Sequence, residues 1–106
     1  MVEEYYKLVR DKIPQIMVKE GENPHIQVIE DNKLYELDLE NKLREEVNEL
    51  LESHSIEEFG DVLEVLECLA LSLGLSWDSI IKAQNDKRRK KGSFKKKVFL
   101  DKVDKV

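Results

Sequence analysis

Four carboxylates in the middle of the chain are spaced for joint work. Glu46 and Glu49 stand three residues apart, and so do Glu58 and Asp61. Residues three apart on a helix are neighbours on one face, so each pair offers two carboxylates side by side. Between the pairs lies a short break, Ser53-His54-Ser55. Helices joined so tightly must fold back as an antiparallel pair, in which residues equally far from the turn lie level. Glu46 and Asp61 are equidistant from the turn, as are Glu49 and Glu58. All four then converge on one patch, where they repel one another unless something neutralises them. Hard divalent cations take oxygen ligands, and Mg²⁺ combines one or two carboxylates with waters and substrate phosphates. The patch therefore suits Mg²⁺ or Mn²⁺ serving phosphate chemistry.

A plainer reading competes with this one. In a chain with 23 acidic residues, most glutamate pairs are solvated faces. Ser55-Ile56-Glu57-Glu58 fits a capping box, in which Glu58 reaches back to the Ser55 backbone. Glu46 can pair with Lys42, one helical turn earlier.

The elements that must position these residues are helical. Leu39, Leu43, Val47, Leu50 and Leu51 predict an amphipathic helix over residues 34–51. Ile56, Phe59, Val62, Leu63, Leu66, Leu69, Ala70 and Leu73 mark a second over residues 56–73, with Gly74 as its stop. Ser76 caps a third that runs into the basic stretch and ends near Gly92. A short helix starts near Pro14 and ends at Gly21. Ile26, Val28 and Ile29 in the connector suggest a brief extended stretch, and residues 93–106 a short strand or an ordered tail. The expected fold is all-α: an antiparallel helical bundle with a short N-terminal helix and a C-terminal tail, forming a single domain over residues 1–106.

Composition narrows the classes. Of 106 residues, 41% are apolar and 39% charged, far above the roughly 25% charged norm. No apolar stretch approaches the ~20 residues of a spanning helix, so a membrane partner is not expected. Cys68 is the only cysteine, which rules out an intrachain disulfide and suits a small apolar role better than that of a nucleophile. The first residues lack the basic start and apolar core of a secretory signal, so a cytoplasmic location is expected. No glycine-rich phosphate loop is present. Charge is unevenly placed: residues 1–81 carry a net −13 and residues 82–106 a net +8. The basic end could bind nucleic acid, but the acidic body and the lack of interleaved aromatics count against it. It could instead be the positive half of a site whose negative half holds metal.

The run Lys42-Leu43-Arg44-Glu45-Glu46-Val47-Asn48-Glu49, followed by Glu57-Glu58-Phe59-Gly60-Asp61-Val62-Leu63, resembles the EExxE…ExxD signature of MazG-type nucleotide pyrophosphohydrolases. That all-α superfamily includes phosphoribosyl-ATP pyrophosphatases and dimeric dUTPases. Tyr6-Lys7-Leu8-Val9-Arg10-Asp11-Lys12-Ile13-Pro14 is similar to the opening of a compact house-cleaning branch. Lys87-Arg88 and Lys91-Gly92-Ser93-Phe94 are similar to that branch's ending. Tyr6 and Ser93 depart from the pattern, and only eight residues separate Glu49 from Glu58, fewer than in many relatives.

The resemblance implies a Mg²⁺-dependent hydrolase that cleaves a nucleoside triphosphate between the α and β phosphates, with non-standard nucleotides as conceivable substrates. It implies Glu46, Glu49, Glu58 and Asp61 as metal ligands and Glu45 or Glu49 as proton acceptor. It also implies Arg10, Lys12, Asn85, Lys87 and Arg88 as substrate-binding groups. For these cations the plain alternative is a solvated basic surface. Two further functional classes stay open: a nucleic-acid-binding module using the basic C-terminal segment, and a helical interaction domain without chemistry. The helix over 56–73 is apolar over a wider arc than one partner helix covers. This width, like the resemblance, predicts a homo-oligomer, a dimer or tetramer, with Leu66, Leu69, Leu73 and Trp77 near the interface.

Overall fold

The computed structural model describes residues 1–106 and contains four helices and no strand. They are α1 (Ile13–Lys19), α2 (Asn32–Ser53), α3 (Ile56–Ser72) and α4 (Trp77–Lys91). None is long and apolar enough to cross a membrane. The chain divides into two compact units, Met1–Leu75 and Ser76–Val106.

Side-chain caps set the helix starts. Asp31 accepts from the Lys33 and Leu34 amides at 2.8 and 3.1 Å. That cap starts α2 two residues before the apolar periodicity does, because it satisfies amides that would otherwise lack partners. Ser55 accepts from the Glu58 amide and Ser76 from the Ser79 amide, each at 3.2 Å. Ends are equally specific. His54 takes a left-handed conformation (φ 52°) that stops α2 and leaves a two-residue link to α3. Gly74, at φ 74°, closes the turn after α3 in a geometry that disfavours a Cβ.

In the first unit α2 and α3 pack against each other around Leu39, Val65 and Ala70, the buried apolar side chains. The N-terminal residues cross both helices. Lys7 Nζ donates to Glu45 Oε1 on α2 at 2.9 Å, and Arg10 Nη2 donates to Asp61 Oδ1 on α3 at 2.6 Å. Each exposed pair adds only about 0–1 kcal/mol. Together they fix where this non-helical segment lies.

Several expectations change. Residues 93–106 form no strand, which leaves the tail of the two alternatives, and the stretch at 26–29 pairs with no other segment. The buried stripe of α3 centres on Val65 and Ala70. Leu66 and Leu69 are half-buried, and Ile56, Phe59, Leu63 and Leu73 are exposed. Apolar periodicity defines an arc but not which edge of it meets the partner helix. Cys68 is half-buried, not enclosed.

In the second unit α4 carries basic residues over its last turn, Arg88 to Lys91, where they oppose the helix's negative end. Trp77 is half-buried at its first position.

Candidate metal centre

The turn between α2 and α3 decides where Glu58 goes. In a full capping box the Glu58 carboxylate would accept from the Ser55 amide. Here Ser53 Oγ takes that amide, at 3.3 Å. Only half of the box forms, the Ser55 hydroxyl accepting from the Glu58 amide. The Glu58 carboxylate is left for other company.

That company is acidic. One carboxylate oxygen each from Glu46, Glu58 and Asp61 lies within 4.8 Å of the others. Glu46 is 7% exposed, and Glu58 and Asp61 are half-buried. Glu46 Oε1 lies 3.3 Å from Lys42 Nζ, the one-turn pair anticipated from spacing. Its Oε2 is buried without a partner, and so is Glu58 Oε2. Buried polar atoms are nearly always satisfied, so two orphans in one cluster call for a missing donor or cation. A proton on Glu58 is one answer. The Glu46 carboxylate would accept it, burial adds to the effect and Glu49 is a second acceptor, so the Glu58 pKa is pushed up from the ordinary 4.5 to about 7. A divalent cation is the other answer. Oxygen donors only, two orphaned oxygens and at least three carboxylates across two helices fit a hard cation such as Mg²⁺ or Mn²⁺.

Glu49 reaches Glu58 but stands outside the tightest group of three. Glu45 is held between Lys7 and Lys42, at 2.9 and 3.3 Å. The hydrogen bond from Lys7 keeps its carboxyl below the usual range. Arg10 binds Asp61. Lys12 borders a cavity that also reaches Glu46 and Asp61. Asn85, Lys87 and Arg88 lie on α4 in the second unit, exposed.

Two groups at the cluster were not singled out from sequence as site residues. Lys42 is readable from its spacing to Glu46. Lys7 is 38 residues from Glu45 along the chain, and no local pattern announces that pairing.

No family model, no curated protein and no solved structure matches this chain.

Proposed function

We propose that the chain is a divalent-cation-dependent nucleoside triphosphate pyrophosphohydrolase of the MazG type, releasing a nucleoside monophosphate and pyrophosphate. The observation that carries this reading is the cluster of Glu46, Glu58 and Asp61 with two orphaned buried oxygens. Solvated glutamates leave no oxygen buried and unpaired. The motif resemblance supplies the reaction class. The pairing of Glu46 with Asp61 supports an antiparallel α2–α3 arrangement of that type.

In this reading Glu46, Glu58 and Asp61, with Glu49 beside them, hold Mg²⁺ or Mn²⁺. Such an ion polarises phosphate oxygens and acidifies a bound water. The chain's own residues do the rest. Lys42 and Lys7, positioned by Glu45, offset the phosphate charge. Arg10 and Lys12 add to that positive side, and Asn85, Lys87 and Arg88 are assigned to substrate through the resemblance. Glu45 is tied to two ammonium groups, which leaves Glu49 the better proton acceptor.

Assembly into a homodimer or tetramer belongs to the same proposal. Leu63 and Leu71 on α3 and Leu73 just past its end are 52%, 78% and 52% exposed, a large apolar display for one helix and its cap. Light scattering at micromolar concentration checks it, and a strictly monomeric, fully active species would rule it out.

The central test is pyrophosphate release from a nucleotide panel with Mg²⁺, with EDTA, and in Glu46→Gln and Asp61→Asn. Release that needs the cation and collapses in both variants supports the proposal. Undiminished release in either variant removes the site.

A further inference from the structure

A cavity of about 400 Å³ opens beside the carboxylates, and it is bordered by more than the cation-binding side chains. Its size is in the range of small-molecule sites. Glu46 and Asp61 line it where they meet Arg10 and Lys42. Glu46 is more than nine-tenths buried there, with its Oε2 unpartnered. Much of the remaining wall is apolar, with Leu8 and Val9 from the N-terminal segment, Leu39 from α2 and Val65 from α3, and Asp11, Lys12 and Glu64 are its other charged groups. Tyr35 and Cys68 line it as well, and they neighbour each other. Burial raises the pKa of both side chains, which keeps them neutral at pH 7.

Distance along the helices shows how this wall relates to the cluster. Tyr35 precedes Glu46 by eleven residues and Cys68 follows Asp61 by seven. At 1.5 Å per residue they stand about 16 and about 10 Å from the carboxylates. The cavity thus runs from an end crowded with cations and carboxylates to an end where an aromatic ring and a thiol stand beside the acceptor oxygens of Glu64 and Asp11. A ligand that fits both ends has a polyanionic tail and a planar head with hydrogen-bond donors on its edge, at opposite ends of a molecule of that length.

We infer that this cavity is the nucleoside pocket of the site, with Tyr35 and Cys68 forming the end that receives the base. The inference rests on the reading under Proposed function for the phosphate end, and the test separates the two. Tyr35 offers its ring as a stacking surface, and Glu64, 3.7 Å from the Cys68 sulfur, offers an acceptor to the base edge. Leu8 and Val9 cover the base from the N-terminal side, the segment being held by the Lys7–Glu45 and Arg10–Asp61 pairs.

Because Cys68 is the only cysteine, its alkylation reports on this pocket without ambiguity. The full chain is treated with a maleimide at pH 8.5, and modification is followed by mass spectrometry. The probes are the α,β-methylene analogues of ATP, GTP, CTP and UTP, each with Mn²⁺, then inorganic tripolyphosphate with Mn²⁺, then the four nucleosides alone. At least one analogue should slow modification about tenfold near ten times its dissociation constant, by simple occupancy. Tripolyphosphate should leave the rate unchanged. Tyr35→Ala should raise KM for the triphosphate about tenfold or more with kcat within about twofold, the size of a lost stacking contact. Tyr35→Phe should behave as wild type.

Equal protection by tripolyphosphate would overturn the assignment. So would unchanged alkylation with an analogue bound, as shown by equilibrium dialysis; pyrophosphate release would stand in both cases. Conversely, protection by a nucleoside alone, in a protein that releases no pyrophosphate, would support the pocket and remove the proposed reaction.

Discussion

Two regions of this protein are rich in opposite charges, and they resolve them differently. On α4, Asp86 accepts from Lys82 at 2.9 Å, and Arg89 is its other partner. Both of its oxygens are occupied, both partners lie within one turn, and both are more than three-quarters exposed. On the face shared by α2 and α3, three carboxylates crowd together and two buried oxygens have no partner. The nearest cations there are Lys42, one turn before Glu46 and shared with Glu45, and Arg10 from the N-terminal segment. A carboxylate with both oxygens paired on its own helix needs nothing further. Charge gathered from two helices and left incomplete requires something from outside the chain.

The comparison can be broken from either side. The largest effect is expected on the incomplete side: Glu46→Gln should lower cation-dependent pyrophosphate release by about 100-fold or more, since even outer-shell changes at metal sites cost 10–100-fold. Steady-state assay at saturating Mg²⁺ checks it.

Next comes the response to the cation itself. At about 100 times the dissociation constant, Mg²⁺ or Mn²⁺ should stabilise the chain by about 2.7 kcal/mol, on the order of 10 °C in Tm. Without a divalent ion the sign of the pH dependence follows from Glu58. Its folded pKa, about 7, lies above the unfolded value near 4.5, so the proton is held more tightly in the folded chain. Its contribution is fully present below about pH 4.5 and is lost as pH rises through 7. Urea unfolding in EDTA at pH 5 and pH 8 should therefore show lower stability at pH 8, and Glu58→Gln should shrink that difference. An EDTA-treated chain with a flat profile would break the comparison.

Ser55→Ala should cost about 1 kcal/mol, the usual value of a lost N-cap, measured by denaturant unfolding. Arg10→Gln should change stability by less than about 1 kcal/mol, because its pair with Asp61 is exposed. The same variant should bind Mn²⁺ a few-fold tighter by equilibrium dialysis, since one competing cation is gone. The smallest effect belongs to the complete region. Asp86→Ala should move stability by no more than about 0.5 kcal/mol and leave cation binding unchanged.

The four helices were legible in the sequence because their signals are local. Ser55, Ser76, Gly74 and Gly92 are punctuation that acts within one turn. The meeting of Glu46, Glu58 and Asp61 was legible for a related reason: a very short link converts sequence distance from the turn into height along two helices. What could not be read is what comes from far along the chain. The partners of Lys7 and Arg10 are 38 and 51 residues away, and no periodicity encodes such contacts. Nor does an apolar arc say that Val65, not Leu66, is the one buried. Of the two alternatives at 93–106, the strand is the one not formed, because alternation without a partner strand has no hydrogen bonds to make.

The Ser53 hydroxyl is a small feature with a long reach. By occupying the Ser55 amide it denies Glu58 the resting place that a capping glutamate ordinarily takes. The position of the Glu58 carboxylate is thus tied to a neutral hydroxyl at the end of the preceding helix. Ser53→Ala would hand the amide back, and the carboxylate would trade an acidic neighbourhood for a backbone donor. The turn thus works as a selector, and the proton affinity of a glutamate on α3 is written into the last residue of α2.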